Sequence, residues 1–302
     1  MSMQVNIAPF EEQHLQPLRE LFASYFPAED RLLSAAYTRW LYAENPYGAA
    51  RMVYVESESA WVGFMAMVPV DLVRQAERAR AYYVVNVLVH PRHQGHNLFG
   101  RMITAAREAV TAEGSALLGH PNDLALKAWQ RARMHFQDPL RPSLALPAGF
   151  KRPLQFCVIA TAEELPGPAE VAATVAGSSP GWRVRPTMQY LDWRYLRHPT
   201  NHYHLQSLQH RGEIVGLQVT RQVRGPLALL IDQFVPPALE RSATRCLPFP
   251  TFCFRPRPRT QASWKVTAPL PWKKQLPFFF TYPAVPTSAS SLEDFGLSAS
   301  DF

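Results

Sequence analysis

The stretch Val89–Ile103, VHPRHQGHNLFGRMI, sets a proline, a glycine and a group of arginine and histidine side chains between a valine-rich run and an amphipathic one. A strand, a tight loop and a helix in that order can hold a phosphate. The helix N-terminus presents N–H groups without intrahelical partners and the positive end of the macrodipole. A phosphate or pyrophosphate seats there when the backbone can come close. The donors would be the backbone of Gln94, Gly95, His96, Asn97, Leu98 and Phe99, with Arg92, His93 and His96 adding positive charge or further donors. Arg101 follows one turn into the helix. Two histidines could take or give a proton near neutral pH. His90 shares one strand face with Asn86 and Leu88 by the two-residue period, and His120 follows the next short strand and opens toward the same cleft. Glu44, Glu56 and Asp71 are further carboxylates with no spacing that singles them out.

The elements that must carry these residues are readable in outline. Val5–Phe10 alternates as a strand, and Glu11–Tyr25 has Leu15, Leu18, Leu21, Phe22 and Tyr25 at helical spacing. Leu32–Tyr42 predicts a second helix, closed by the turn ENPYG. Arg51–Glu56 and Trp61–Val70 predict a hairpin, and Ala81–Val89 a further strand. Leu98, Met102, Ala105, Ala106 and Val110 mark one face of a helix ending near Gly114. Ser115–Leu118 reads as a short strand, and Leu124, Ala125, Ala128, Trp129 and Ala132 as another helical stripe. Antiparallel strands thus pass into a β-α-β unit, which predicts an α+β or mixed α/β fold.

An internal repeat organises the rest. Tyr37, Trp40, Tyr42 and Pro46 recur as Tyr190, Trp193, Tyr195 and Pro199, an offset of 153 residues (190 − 37). At the same offset Gly63 falls on Gly216. Two similar domains are expected, residues 1–160 and 161–302, joined in the small-residue stretch Pro166–Gly181, each a mostly antiparallel mixed sheet flanked by helices. The paired aromatic segments anchor helix to sheet, or stack on a sugar. Asp192 and Arg194 stand where the first copy has Arg39 and Leu41, so the copies have diverged.

Composition narrows the function classes. With 47 % hydrophobic and 18 % charged residues the chain can bury a core and is not of disordered type. A net charge of +7 favours an anionic ligand, but the basic residues are scattered, FRPRPRT at Phe254–Thr260 being the nearest to a run, which argues against a nucleic-acid footprint. Cys157, Cys246 and Cys253 form no CxxC, so neither a zinc site nor a disulfide framework follows. No apolar run reaches membrane length, and a soluble, cytoplasmic protein without a membrane partner is expected.

The loop resembles motif A of the GCN5-related N-acetyltransferases (GNAT), V-x-P-x-x-[RQ]-G-x-G-x-[GA]. Val89, Pro91, Gln94 and Gly95 match it. Asn97 stands in place of the next glycine and Phe99 in place of glycine or alanine. HPNDLALKAW resembles the family's later signature, with Asn122 and Ala125 at the matching positions. The resemblance covers about Val5–Phe136. It implies acetyl-CoA or another acyl-CoA as cofactor, with its pyrophosphate on the amides of Gln94–Phe99, its pantetheine arm along the backbone of Val87, Leu88 and Val89, and a contact from Asn122. Asparagine tolerates left-handed backbone, so Asn97 can keep the turn. The family often has a tyrosine seven residues after the motif asparagine, which can protonate the leaving thiolate; here that residue is Trp129, which has no acidic proton to give.

After Phe234 the second half lacks such a loop and is rich in proline, which removes N–H donors; it resembles a degenerate copy with an acceptor-shaping or structural role. The resemblance thus implies acyl transfer to a primary amine, an amino sugar or nucleotide-linked amino sugar fitting the basic charge and the aromatic segments, with His90 or His120 as candidate base and no metal. The alternatives are a CoA-binding module without turnover and an aminoacyl-tRNA-dependent transferase. The sequence leaves the oligomeric state open.

Overall fold

Alternating apolar residues lay out one sheet in each half of the chain. The computed structural model describes residues 3–75, 77–147, 154–171, 181–255 and 276–281. The part of the basic run from residue 256 onward, and residues 172–180 of the joining stretch, lie outside these. The chain divides into two compact units: Met1–Leu72, Arg78–Gln137 and Phe278–Ser290 in the first, and Val73–Glu77, Asp138–Pro277 and Ser291–Phe302 in the second.

The first unit runs β1 (Val5–Pro9), α1 (Leu15–Ala23), α2 (Ala35–Tyr42), β2 (Arg51–Ser57), β3 (Ala60–Arg74), β4 (Glu77–Val89), α3 (Leu98–Ala112), β5 (Ala116–Gly119), α4 (Asp123–Arg131) and the start of β6 (His135–Ala145). Both early helices are shorter than their apolar stripes predict. A 3-10 turn, Glu12–His14, precedes α1. Another, Arg31–Leu33, precedes α2, because Asp30 accepts from the Leu32 N–H (2.9 Å) and Ser34 then caps the helix through the Tyr37 N–H (3.4 Å). Such local side-chain acceptors compete with helix continuation.

The second unit runs β7 (Gln155–Ile159), β8 (Arg183–Val184), α5 (Met188–Leu191) continuing as a π-turn over Asp192–Leu196, β9 (His204–His210), β10 (Glu213–Arg224), β11 (Leu227–Phe234), α6 (Pro237–Arg245), β12 (Thr251–Arg255) and β13 (Leu276–Phe280).

The two sheets repeat each other. In the first unit the strand order is β1-β2-β3-β4-β5-β13, with β1/β2 and β2/β3 antiparallel, β4/β5 parallel and β5/β13 antiparallel. In the second it is β7-β9-β10-β11-β12-β6, with β7/β9, β9/β10 and β10/β11 antiparallel, β11/β12 parallel and β12/β6 antiparallel. A parallel pair needs a crossover, supplied by α3 and by α6. This is the mixed α/β, antiparallel-rich class that the sequence predicts. Each sheet ends on a strand from the other half of the sequence. β13 closes on β5, where the Leu117 and Thr281 N–H groups each donate across the pair at 2.8 Å.

The 153-residue offset holds at the level of register. Val53 faces Met65 as Gln206 faces Gln218, and Arg51 faces Met67 as His204 faces Thr220. Ser34 caps α2 as Thr187 caps α5. Asn45 accepts from the Tyr47 N–H (3.0 Å) as His198 accepts from the Thr200 N–H (3.2 Å). The paired glycines have different duties, however. A Cβ on Gly63 would lie 3.4 Å from the flexible Met102 sulfur. A Cβ on Gly216 would lie 2.7 Å from the Phe234 carbonyl oxygen and closer still to Val235. Gly216→Ala is therefore expected to destabilise the protein by about 1–3 kcal/mol through overpacking, whereas Gly63→Ala has little effect. Scanning calorimetry of the two variants checks this, and equal melting temperatures would contradict it.

One core lies between α3 and the sheet of the first unit: Val53, Val55, Val62, Met65, Met67, Tyr82 and Val84 from the strands, Leu98, Met102, Ile103, Ala106 and Val110 from α3, and Trp129 from α4. Each of the larger aliphatic side chains here contributes about 1.5–3 kcal/mol on burial, which fixes α3, and with it the loop before it, against the end of β4.

Candidate functional site

The site begins with an irregularity in β4. In the run YYVVNVLV the one polar residue, Asn86, has φ +55°, a left-handed backbone that asparagine accepts more readily than its β-branched neighbours. Tyr82 and Val84 pack into the core beneath α3 before it, and Val87 and Val89 do so after it. The two-residue alternation is thus reset at Asn86. The shift falls between Val84 and Val87. With Val87 and Val89 on the α3 side, Leu88 and His90 lie on the opposite side, and Asn86, whose partner Tyr42 packs against Phe64, lies there with them as the two-residue period predicts. Its side-chain amide donates to the Tyr42 hydroxyl (2.7 Å). Burial pushes that hydroxyl's pKa upward, so it stays protonated.

Past β4 the chain turns outward. The His90 N–H donates to the Val62 carbonyl (2.8 Å), and a 3-10 turn, Pro91–His93, leads into the loop. Gly95 has φ +90° with open space around the Cβ direction. Asn97 has φ +52° and ψ +26°, left-handed, and immediately precedes α3. It therefore takes the glycine-like turn geometry that its position in the motif demands. The first intrahelical bond of α3 runs from the Arg101 N–H to the Asn97 carbonyl (3.1 Å), so the amides of Leu98, Phe99 and Gly100 have no partner within the helix. A Cβ on Gly100 would come 2.5 Å from Asn97 Oδ1; glycine there lets the asparagine side chain fold back without closing the turn. Gln94, Gly95, His96 and Asn97 are exposed, while Leu98 is buried and roots the loop. Backbone donors, left-handed turns and an open surface fit an anionic diphosphate. Arg92 is exposed beside them, but Arg101 donates to the Met3 carbonyl, which directs part of its guanidinium to the N-terminal strand.

Phe99 and Trp129 depart from the motif together. Their rings meet edge to face, centroids 5.8 Å apart, and Trp129 is 2 % exposed. Phe99 thus turns into the core while its N–H remains at the helix start. Trp129 is a packing residue there, with no proton to donate to a leaving group.

The two histidines have different surroundings. His90 Nδ1 accepts from the Arg92 N–H (3.2 Å), which places the proton of the neutral ring on Nε2. His120 follows β5 and lies against Tyr83, ring centroids 6.0 Å apart. Asn122 caps α4, its Oδ1 accepting from the Ala125 N–H (2.8 Å); that oxygen is committed to the helix. The helical spacing that puts Tyr25 on the apolar face of the first helix is corrected: Tyr25 stands beyond α1 and is exposed, and its role is not legible in the sequence. Its hydroxyl donates to the Val89 carbonyl (2.6 Å) and accepts from the Gln94 side-chain amide (2.7 Å). No local pattern marks this role, since the hydroxyl's partners lie 64 and 69 residues away. Among the described residues no His, Cys, Asp and Glu group could hold a metal ion, and no helix is long and apolar enough to cross a membrane.

The corresponding place in the second unit is built differently. β11 passes into α6 through Pro236 and Pro237, at the N-cap and first helical position, and neither carries an N–H. Where Tyr42 pairs with Asn86, its counterpart Tyr195 donates to Asp232. Asp232 is 8 % exposed, and Arg183 and Arg194 act on it. Burial pushes the Asp232 carboxyl up to about 6 against the attraction of the two guanidiniums. Burial likewise lowers the Arg183 guanidinium.

Residues 6–119, which carry Asn86 in β4, the loop and α3, match the model of an acetyltransferase (GNAT) domain. No curated protein matches the chain by sequence. The chain has the fold of solved GNAT proteins. A GCN5-related N-acetyltransferase from Anabaena variabilis aligns over 92 % of this chain and 73 % of its own, at 12 % identity and a TM-score of 0.63. A probable N-acyltransferase from Enterococcus faecalis aligns over 93 % and 73 %, at 9 % identity and a TM-score of 0.65. A tandem GNAT protein from the clavulanic acid biosynthesis pathway aligns over 94 % of this chain and 100 % of its own, at 12 % identity and a TM-score of 0.56.

Proposed function

We propose that the protein is an N-acyltransferase that moves an acetyl or other acyl group from its CoA thioester to a primary amine. The observation that carries this reading is the set of outward amides behind the left-handed Asn97, set directly beyond the reset end of β4. The amides of Gly95–Phe99 would hold the pyrophosphate, and the backbone of Val87, Leu88 and Val89 would lie along the pantetheine arm. Bound acyl-CoA supplies an activated thioester. The chain's own contribution is to position it, to exclude water with the core beneath α3, and to accept the amine's proton. His120 takes that proton directly or by way of water, or His90 does so once its Nδ1 has released the Arg92 N–H. The backbone N–H groups of Val87–Val89, just past the left-handed Asn86, would stabilise developing negative charge on the thioester carbonyl oxygen.

The second unit is read as a degenerate copy. Its prolines remove the donors and its buried Asp232–Tyr195 pair takes the place of Asn86–Tyr42, so it serves the acceptor or the fold and not the cofactor. The acceptor proposed is a small amine, an amino sugar or a nucleotide-linked amino sugar, met in the cytoplasm.

A second reading has an observation in its favour. Trp129 offers no acid and His90 Nδ1 is committed to the backbone, which suits a CoA-binding module without turnover. Release of free thiol from acetyl-CoA over a panel of amines separates the two. Acceptor-dependent thiol release supports the enzyme; tight binding with no release over any amine supports the module. The open amide loop weighs against an aminoacyl-tRNA-dependent transferase.

A further inference from the structure

Among the described residues Tyr25 is the one exposed phenylalanine, tyrosine or tryptophan. It is 43 % exposed, yet its hydroxyl makes two short hydrogen bonds to distant parts of the chain. One goes to the Val89 carbonyl (2.6 Å), the last residue of β4. The other comes from the Gln94 side chain (2.7 Å), the first residue of the amide loop. The tyrosine stands just after α1, held by its own N–H to the Phe22 carbonyl (2.9 Å). Phe22 is 1 % exposed in the core. The base of this bridge is therefore rigid while its tip is at the surface. Between its two partners lie only His90–His93, whose 3-10 turn is closed by the weak Gln94 N–H to Pro91 carbonyl bond (3.4 Å). The other bonds of the turn are the His93 N–H to His90 carbonyl (2.8 Å) and the Arg92 N–H to His90 Nδ1 (3.2 Å), both local, and the His90 N–H to Val62 carbonyl (2.8 Å), which holds its strand end. The hydroxyl is the bond that reaches from α1 to Gln94.

We propose that Tyr25 is a positioning residue for the amide loop: its hydroxyl ties the end of β4 to Gln94, so that the strand edge and the loop donors present one continuous surface to a pantetheine diphosphate. The proposal rests on the acyl-CoA reading above but makes a claim of its own about the free protein. Tyr25 reaches the loop through Gln94 and the strand through Val89, and takes no part in the transfer. It acts by lowering the ordering cost of binding, which appears as affinity.

The test uses the full chain with three variants, Tyr25→Phe, Gln94→Met and the two combined. Hydrogen exchange on the ligand-free proteins is read at the hydrogen-bonded amides that flank the loop, His90, His93, Gln94 and Arg101. Loss of the hydroxyl's bonds is expected to speed exchange there about tenfold, with the melting temperature unchanged. Calorimetric titration with acetyl-CoA is expected to give a dissociation constant about tenfold weaker for Tyr25→Phe. The double variant is expected to add much less than the two single effects multiplied, because both sever one bridge. In turnover, KM for acetyl-CoA rises while kcat holds, a split that general loosening of the fold does not give. Unchanged exchange in Tyr25→Phe overturns the proposal whatever the cofactor does. Unchanged affinity in a variant whose parent binds overturns it while leaving the acyl-CoA reading intact. A parent that binds no acetyl-CoA overturns both.

Discussion

Asp232→Ala is expected to destabilise the second unit by about 3–5 kcal/mol, among the largest single effects in the molecule. The carboxylate is buried, and Tyr195, Arg183 and Arg194 all act on it. Arg194 is 0 % exposed. Removing the carboxylate leaves buried positive charge without that counter-ion, and a buried hydroxyl without that acceptor. Removing one member of a buried ion cluster costs far more than an isosteric replacement of the whole would. Asp232→Asn keeps the hydrogen bond to Tyr195 and reproduces the Asn86–Tyr42 pairing of the first unit, so its cost is smaller. The carboxyl also has a pH signature. Its folded pKa, about 6, lies above the ordinary aspartate value. The stability it contributes is therefore full below the unfolded value and is lost as pH rises through about 6. Chemical denaturation at several pH values should show the wild type weakening from about pH 4 to about pH 6, and Asp232→Asn should lack that slope. An alanine variant as stable as the wild type, or a slope that survives in Asp232→Asn, would contradict this account of the cluster.

The second large effect belongs to Asn97. Its backbone is left-handed at φ +52°, where a β-branched residue is strained by about 1–3 kcal/mol. Asn97→Val is expected to relieve that strain by turning the peptide, which misdirects the amides that start α3. The dissociation constant for acetyl-CoA should then rise at least tenfold, from a loss of about 1.4 kcal/mol or more. Asn97→Gly adopts the same geometry without strain and should bind as well as the wild type or better. Equal affinity in the valine and glycine variants would show that residue 97 does not shape the binding turn.

What could be read before the fold was known follows from the range of each signal. The loop was legible because Gly95 and Asn97 are residues whose type reports local backbone geometry, and both have positive φ. The stripe Leu98, Met102, Ala106 and Val110 was legible because helical period and burial coincide, and all four are buried. The phase shift between Val84 and Val87 was not legible because alternation assumes an unbroken strand, and the left-handed Asn86 resets it. Tyr25 fits the helical stripe by spacing alone, but its role lies in atoms more than sixty residues away. β13 was missed for a similar reason. Its pairing with β5 joins Phe279 to Gly119 and Phe280 to Leu118, and no pattern inside Leu276–Phe280 says which sheet it will close. Arg194 stood out by contrast with Leu41, but the ion cluster it joins needed Asp232, on a strand the repeat alone did not align.

The central claim is that one site, at the end of β4 in the first unit, is built for an acyl-CoA, and that the second unit's corresponding turn, with prolines in place of donors, is not. Isothermal titration of the full chain with acetyl-CoA tests it most directly. The account predicts saturable binding with one acetyl-CoA per chain, weakened in Asn97→Val. No binding heat at millimolar acetyl-CoA, or two equivalent sites per chain, would contradict it.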